Sequence, residues 1–330
     1  MRIIIAGKNL SEKQVFVMDS FMIAVTAVTP FLVYLLFGFI MRRVGITDEA
    51  FLDKLNKVIF RCFFPFLSFY NIYAINPDLK FRFSFVLFCA GLVLVLIAAL
   101  LFTVPRVIKD RRQAGSYIQA VYRSNCVLYA LPLAQSVYGA DGASLAAMMV
   151  AVVVPLYNVA AVLILTYFGG QKARSPKSLL ISVITNPIIL GAIVGILFYT
   201  LRIHLPEALD RPFNAFNQLT TPMAMFVLGG SLHFSQTGRY RKLLASGLVL
   251  RLVINPALAL LASIAAGFSP AERFVIFACF ATPSAAASYA MAAGMGCDGE
   301  LAGQFVVLGT VLSVFTLFLW IFFMSRAGLL

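Results

Sequence analysis

Two short polar interruptions inside long apolar stretches carry the residues best suited to chemistry. The first reads Y-R-S-N-C-V-L-Y-A-L-P-L from Tyr122, and the second F-A-T-P-S-A-A-A-S-Y from Phe280. Asn125 and Thr282 are both favoured N-cap residues. Pro283, directly after Thr282, suits the first helical position, where its missing N–H costs nothing. The spacing therefore predicts that a helix breaks at each place and a half-helix starts. A helix N terminus presents unpaired N–H groups and about +0.5 elementary charge. Two of them converging inside a membrane make a site for a small anion.

Arg123 adds a full charge to that site. It lies about nine residues into its apolar window, roughly 14 Å along a helix at about 1.5 Å per residue, which is near a bilayer midplane. A central Arg costs about 2.5 to 3.5 kcal/mol on insertion scales, so it needs a partner or a purpose. In the other reading the helix begins later and Arg123 snorkels to the cytoplasmic surface. For Arg61 and Arg251, snorkelling is the preferred reading. Pro132 removes one backbone hydrogen bond and leaves the Leu128 carbonyl unpaired, which gives either an acceptor or a packing kink. Ser68, Asn158, Ser284, Ser288 and Tyr289 are the remaining polar groups in apolar surroundings. Each is a candidate contact or else interhelical glue worth about 0.6 kcal/mol.

What is missing shapes the mechanism. All 13 carboxylates lie outside the apolar windows, leaving no buried acid to carry a proton, and His204 and His233 sit in or near connections. Proton- and cation-coupled carriers commonly place Asp, Glu or His within the membrane. The default is uniport, with Na⁺ held by backbone carbonyls alone as the alternative. Moving one charge across the membrane is worth about 2.3 kcal/mol per 100 mV, enough to drive export of an anion from an inside-negative cell. An enzyme is not expected, because Ser284 has no activating His, Lys or carboxylate nearby in sequence. The charged rings and filter loops of channels are not evident either. A substrate-sensing receptor of the same fold stays open. The five cysteines are scattered without CxxC or ligand-spaced His, so neither disulfides, metals nor any cofactor are expected.

The elements that must position these groups are membrane helices. Of 330 residues, 61% are hydrophobic and 12% charged, against roughly 45 to 50% and about 25% in soluble domains. The net charge of +13 is dispersed between long uncharged stretches, which argues against nucleic acid as a partner. Seven charge-free windows exceed the span length of about 20 residues: Phe21 to Met41, Phe83 to Pro105, Ala143 to Gly170, Ser178 to Leu201, Pro212 to Gly238, Phe274 to Gly296 and Leu301 to Ser325. Three more carry one Arg each: Val58 to Pro77, Gln113 to Ala140 and Leu243 to Ala271. Ten transmembrane helices are predicted, all helical because lipid-exposed backbone must pair internally. Residues 1–18 are set aside as an N-terminal tail, with Met18 a candidate start. The first span is too long for a cleaved signal. Odd-numbered connections hold 14 Lys and Arg and even-numbered ones 5, so both termini are expected outside an inner membrane.

One offset recurs along the chain. Adding 157 to Pro30, Gly38, Pro65, Phe69, Gly139, Asp141 and Gly142 gives Pro187, Gly195, Pro222, Phe226, Gly296, Asp298 and Gly299. The expected organisation is a first five-helix repeat over 19–170, a cytoplasmic linker at 171–177, and a second repeat over 178–330. Five is odd, so the second copy enters from the opposite face, the inverted repeat typical of secondary transporters.

With these residues in view, the chain from about 20 to 325 resembles the auxin efflux carrier family, which includes plant PIN-formed carriers and bacterial malonate and malate transporter-like proteins. The resemblance rests on R-S-N at Arg123 to Asn125 with L-P-L at Leu131 to Leu133, P-F-L-S-F at Pro65 to Phe69, T-N-P at Thr185 to Pro187, A-M-F-V-L-G at Ala224 to Gly229, and T-P-S at Thr282 to Ser284. It implies an all-α integral membrane fold like that of sodium/proton antiporters and bile acid symporters, with broken, crossing helices 4 and 9. It also implies a scaffold of helices 1, 2, 6 and 7, elevator movement of the rest, and a homodimer in the bilayer. Family substrate contacts carry over to Asn125, to Ser68, and through the broken-helix motif to Thr282 and Ser284. Ser124 and Ala130 stand where plant members tend to have Pro and Gly, and the long central hydrophilic loop is missing. A carrier of a small mono- or dicarboxylate therefore fits better than one for auxin, with Na⁺ or H⁺ symport as the alternative.

Overall fold

The computed structural model describes residues 29–30, 32–74, 82–169, 185–231 and 237–330. The N-terminal tail, the 171–177 linker, and parts of the first, second, fifth, sixth and seventh windows lie outside them. Among the described residues every regular element is a helix. Helix α1 covers 32–43. Helix α2 (Glu49–Val58) runs through a π-helical turn, Ile59–Phe63, into α3 (Phe64–Tyr73). There follow α4 (Phe83–Val107), α5 (Arg111–Tyr122) and α6 (Cys126–Phe168). After the linker come α7 (Pro187–Thr200) and α8 (Glu207–Ser231). Helix α9 (Thr237–Val249) passes through a second π-helical turn, Leu250–Ile254, into α10 (Asn255–Ala265). The chain ends with α11 (Pro270–Ala281), α12 (Ala287–Gly294) and α13 (Gly299–Arg326).

Among the described residues, four helical stretches are long and apolar enough to cross a membrane: Phe83–Val107, Leu133–Phe168, Gly238–Ala265 and Gly299–Arg326. The described parts of the other windows hold shorter, broken or more polar helices. Helix α4 shows the lipid pattern most plainly. Phe85, Cys89, Val93, Ile97, Leu100 and Val104 are buried at helical spacing, while the equally apolar Phe83, Leu87, Leu94 and Phe102 are exposed. A helix apolar on every face, with one side buried in the bundle, requires an apolar medium on the other.

The two π-helical turns share a cause. Pro65 and Pro256 follow them directly, and a proline withholds the N–H that would pair with the carbonyl four residues back. At the second turn that carbonyl belongs to Leu252, and the indole Nε1–H of Trp320 donates to it at 3.0 Å.

Pro132 does not break a helix, since residues 126–138 stay helical through it. The departure inside α6 is at Gly139, with φ 60° and ψ −140°, a region open in practice to glycine alone. Its counterpart at the 157-residue offset, Gly296, also has positive φ, at 80°, and a side chain there would strike the Gly169 carbonyl oxygen at 2.7 Å. Sequence reading expected no buried acid, yet Glu272 is 4% exposed. It sits in the first turn of α11, in a capping box with Ser269, and pairs with Arg82 at 2.9 Å. A helix end stabilises it, rather than a site in the interior.

Candidate functional site

Helix α5 stops at Tyr122 and α6 starts at Cys126. Helix α11 stops at Ala281 and α12 starts at Ala287. The two unwound segments lie against each other as a minimal antiparallel pair centred on Ser124 and Ser284. The Asn125 N–H donates to the Pro283 carbonyl at 3.0 Å, and the Ala285 N–H to the Arg123 carbonyl at 3.1 Å. Backbone groups freed by the two breaks thus satisfy one another, which buried backbone requires.

The details of the second break differ from the expectation. Thr282 is not the N-cap of a half-helix but the C-cap of α11, extended at φ −76° and ψ 155°. Pro283 is not the first helical residue; it lies in the unwound segment, and α12 begins after Ala286. The cause is steric, because a proline disfavours helical geometry in the residue before it. Asn125 does occupy the N-cap position of α6, but its side chain makes no capping hydrogen bond, so the amide is left for the cavity beside it.

That cavity, of about 130 Å³, is lined among others by Arg123, Asn125, Asn71, Tyr157 and Thr221, together with the first residues of α6 and α12. Arg123 is 7% exposed. One guanidinium nitrogen donates to Asn158 Oδ1 at 2.8 Å, and another contacts Met291 Sδ at 2.6 Å. Asn158 Nδ2 in turn reaches Ser68 Oγ at 3.5 Å. Ser68 and Asn158 therefore stand behind Arg123 and orient it, linking α3 and α6 to the end of α5. Among the described residues Arg123 is the one charged group lining this cavity, and the N termini of α6 and α12 add positive potential of the kind that receives anions.

A wider cavity of about 790 Å³ shares Asn71 and Val127 with the inner one and extends past Asp210, Asn214 and Asn217, on one face of α8. Tyr70 O–H donates to Asp210 Oδ1 at 2.6 Å, so the carboxylate of this outer space is already engaged.

The other expected site residues lie elsewhere. Ser284 Oγ donates to the Ala120 carbonyl at 2.6 Å, and Thr282 Oγ1 to the Cys279 carbonyl at 3.3 Å. Ser288 is fully buried without a hydrogen-bond partner for Oγ. Tyr289 lines a separate cavity of about 230 Å³ with Arg42, Ser231 and Glu300. Arg61 is exposed. Arg251 does not snorkel: it is 1% exposed, on the side of the crossing formed by the ends of α5 and α11. Asn71, Tyr157 and Thr221 were not singled out from sequence. Asn71 had a signal, being three residues from Ser68 on the same helix face.

A family model described as membrane transport protein matches residues 23–321. Comparison with curated proteins returned no match.

Proposed function

Since the chain belongs to the membrane transport protein family, that of the auxin efflux and PIN-formed carriers, we propose that it is a multi-pass carrier moving a small mono- or dicarboxylate by alternating access. The observation that carries this reading is the inner cavity, where a buried Arg123 and the N termini of two half-helices meet with no carboxylate among the described residues of the wall. Its volume of about 130 Å³ equals roughly four waters at about 30 Å³ each. That suits a compact acid such as malonate or malate, while an indole acid would have to extend into the outer space.

Two inverted five-helix repeats are supported by helix breaks that fall within a few residues of each other at the 157-residue offset, 123–125 mapping to 280–282 beside the second break at 282–286, and by the positive φ of both Gly139 and Gly296. A scaffold of the helices from windows 1, 2, 6 and 7 is supported by close backbone packing. A Cβ on Gly191 of α7 would lie 2.2 Å from the Pro65 carbonyl oxygen, and one on Gly229 of α8 would lie 2.0 Å from that of Leu35 in α1. The remaining helices would then move as a unit, elevator fashion, in a homodimer. Uniport is the reading for coupling, with both chain termini outside.

In proteoliposomes the protein is expected to give saturable, voltage-sensitive flux of labelled malonate or malate. Absence of flux for every carboxylate offered would contradict the carrier and favour a receptor.

A further inference from the structure

Arg251 is the single charge in the apolar stretch from Leu243 to Ala271. It lies in the π-helical turn Leu250–Ile254, and such a turn shifts side chains out of the regular helical register. Here the shift accompanies complete burial. Nε donates to the Thr282 carbonyl at 2.9 Å, and one terminal nitrogen reaches the carbonyls of Val121 at 3.2 Å and Tyr122 at 3.3 Å. The other reaches the Cys279 carbonyl at 3.4 Å. Asn255, one helical turn on, adds a bond from Nδ2 to the Val121 carbonyl at 3.2 Å.

Every one of these acceptors is a peptide oxygen from the last turn of α5, the last turn of α11, or the cap after it. The two ion pairs among the described residues, Arg82 with Glu272 and Arg211 with Glu207, involve neither Arg251 nor Arg123. Each helix C terminus carries about half a negative charge and carbonyls without intrahelical partners. Two such ends meeting in an apolar interior attract a cation, and carriers built on broken helices use unwound carbonyls and half-helix C termini in this way to hold a coupling ion. In this chain a guanidinium already occupies the carbonyl cluster.

We propose that Arg251 is a resident countercharge standing where a co-transported cation would otherwise bind, so that the crossing stays assembled and the transport cycle turns without Na⁺. Arg251 is thus a positioning residue: it holds the ends of α5 and α11 together, and the N-terminal starts of α6 and α12 on the far side of the crossing keep their places as a result. Freedom from Na⁺ in transport follows only if the protein is a carrier, but the state of the carbonyl cluster can be read without any substrate.

The test is thermal unfolding of the full-length protein in detergent, at equal ionic strength in sodium, potassium or choline chloride. The wild type is expected to melt at the same temperature in all three, and so is Arg251→Lys. Arg251→Gln and Arg251→Ala are expected to melt lower in choline and to rise by about 3 °C or more when Na⁺ or methylguanidinium is supplied. A wild-type midpoint that rises with Na⁺ overturns the proposal. So do neutral variants, the Gln form included where the Ala form fails to fold, that respond to cations no more than the wild type. Absence of carboxylate flux, by contrast, defeats the carrier reading and leaves these melting results standing.

Discussion

Two arginines are buried on opposite sides of one crossing, and they are held in different ways. Arg251 spends its donors on four backbone carbonyls from two helix ends. Arg123 is held by side chains alone, the Asn158 amide and the Met291 thioether. A guanidinium has five N–H donors and a thioether is a weak acceptor, so Arg123 keeps donor capacity toward the inner cavity while Arg251 keeps little. In the proposed carrier the same residue type would serve as structure where helices end and as a binding group where helices begin. The direction of the peptide dipoles decides which, since carbonyls point toward one arginine and N–H groups toward the inner cavity beside the other.

That contrast is open to attack by substitution. The largest effect is expected from Arg251→Ala, which removes four hydrogen bonds to buried carbonyls and leaves those of Tyr122 and Thr282 without a side-chain donor, while Val121 keeps Asn255 and Cys279 keeps Thr282. Charged hydrogen bonds of this kind contribute about 1.5 to 3 kcal/mol each, so a stability loss of at least about 3 kcal/mol is expected in chemical or thermal unfolding; a loss below about 1 kcal/mol would erase the distinction. Arg123→Gln comes next and should act on transport. Malonate flux is expected to fall about a hundredfold, equivalent to about 2.7 kcal/mol, with a melting temperature close to that of the wild type. Gly296→Ala should cost more stability than Gly139→Ala. Both carry the penalty of a positive-φ backbone that residues with a Cβ rarely adopt, about 1 to 3 kcal/mol, but only at Gly296 does a Cβ also meet backbone. Equal costs at both positions would contradict the close approach of Gly296 to the Gly169 carbonyl. The smallest effect belongs to Ser68→Ala, a few-fold loss of flux at most. Its Oγ touches Asn158 at 3.5 Å, at the limit of a useful hydrogen bond.

The sequence made the side of the crossing that faces the inner cavity more legible than the rear. An N-cap residue with a nearby Arg marks a helix start, and Asn125 stands at one. Thr282 reads equally well as a start or an end, because Thr-Pro fits either until the helix before it is seen; in the fold it closes α11. The 157-residue offset was visible because left-handed backbone demands glycine, which keeps the G-x-D-G blocks alike in both halves. Arg251 was misread for a physical reason: helical periodicity takes no account of a π-helical turn, and only Pro256 hinted at one. Tyr157 and Thr221 reach the inner cavity from helices remote in sequence, so no local pattern announces them. The missed burial of Glu272 was a matter of capping, legible in the S-x-x-E spacing from Ser269 once α11 is placed.

The account depends on a small anion resting between the starts of α6 and α12. Asn125→Asp tests it most directly, because aspartate is as good an N-cap as asparagine and suits a helix N terminus, so the fold should hold while the cavity gains a negative charge. Titration of malonate or malate into the purified protein, followed by calorimetry, is predicted to show binding to the wild type and at least about tenfold weaker binding, or none, to Asn125→Asp at an unchanged melting temperature. Equal affinity in the two proteins would contradict an anion site at the crossing.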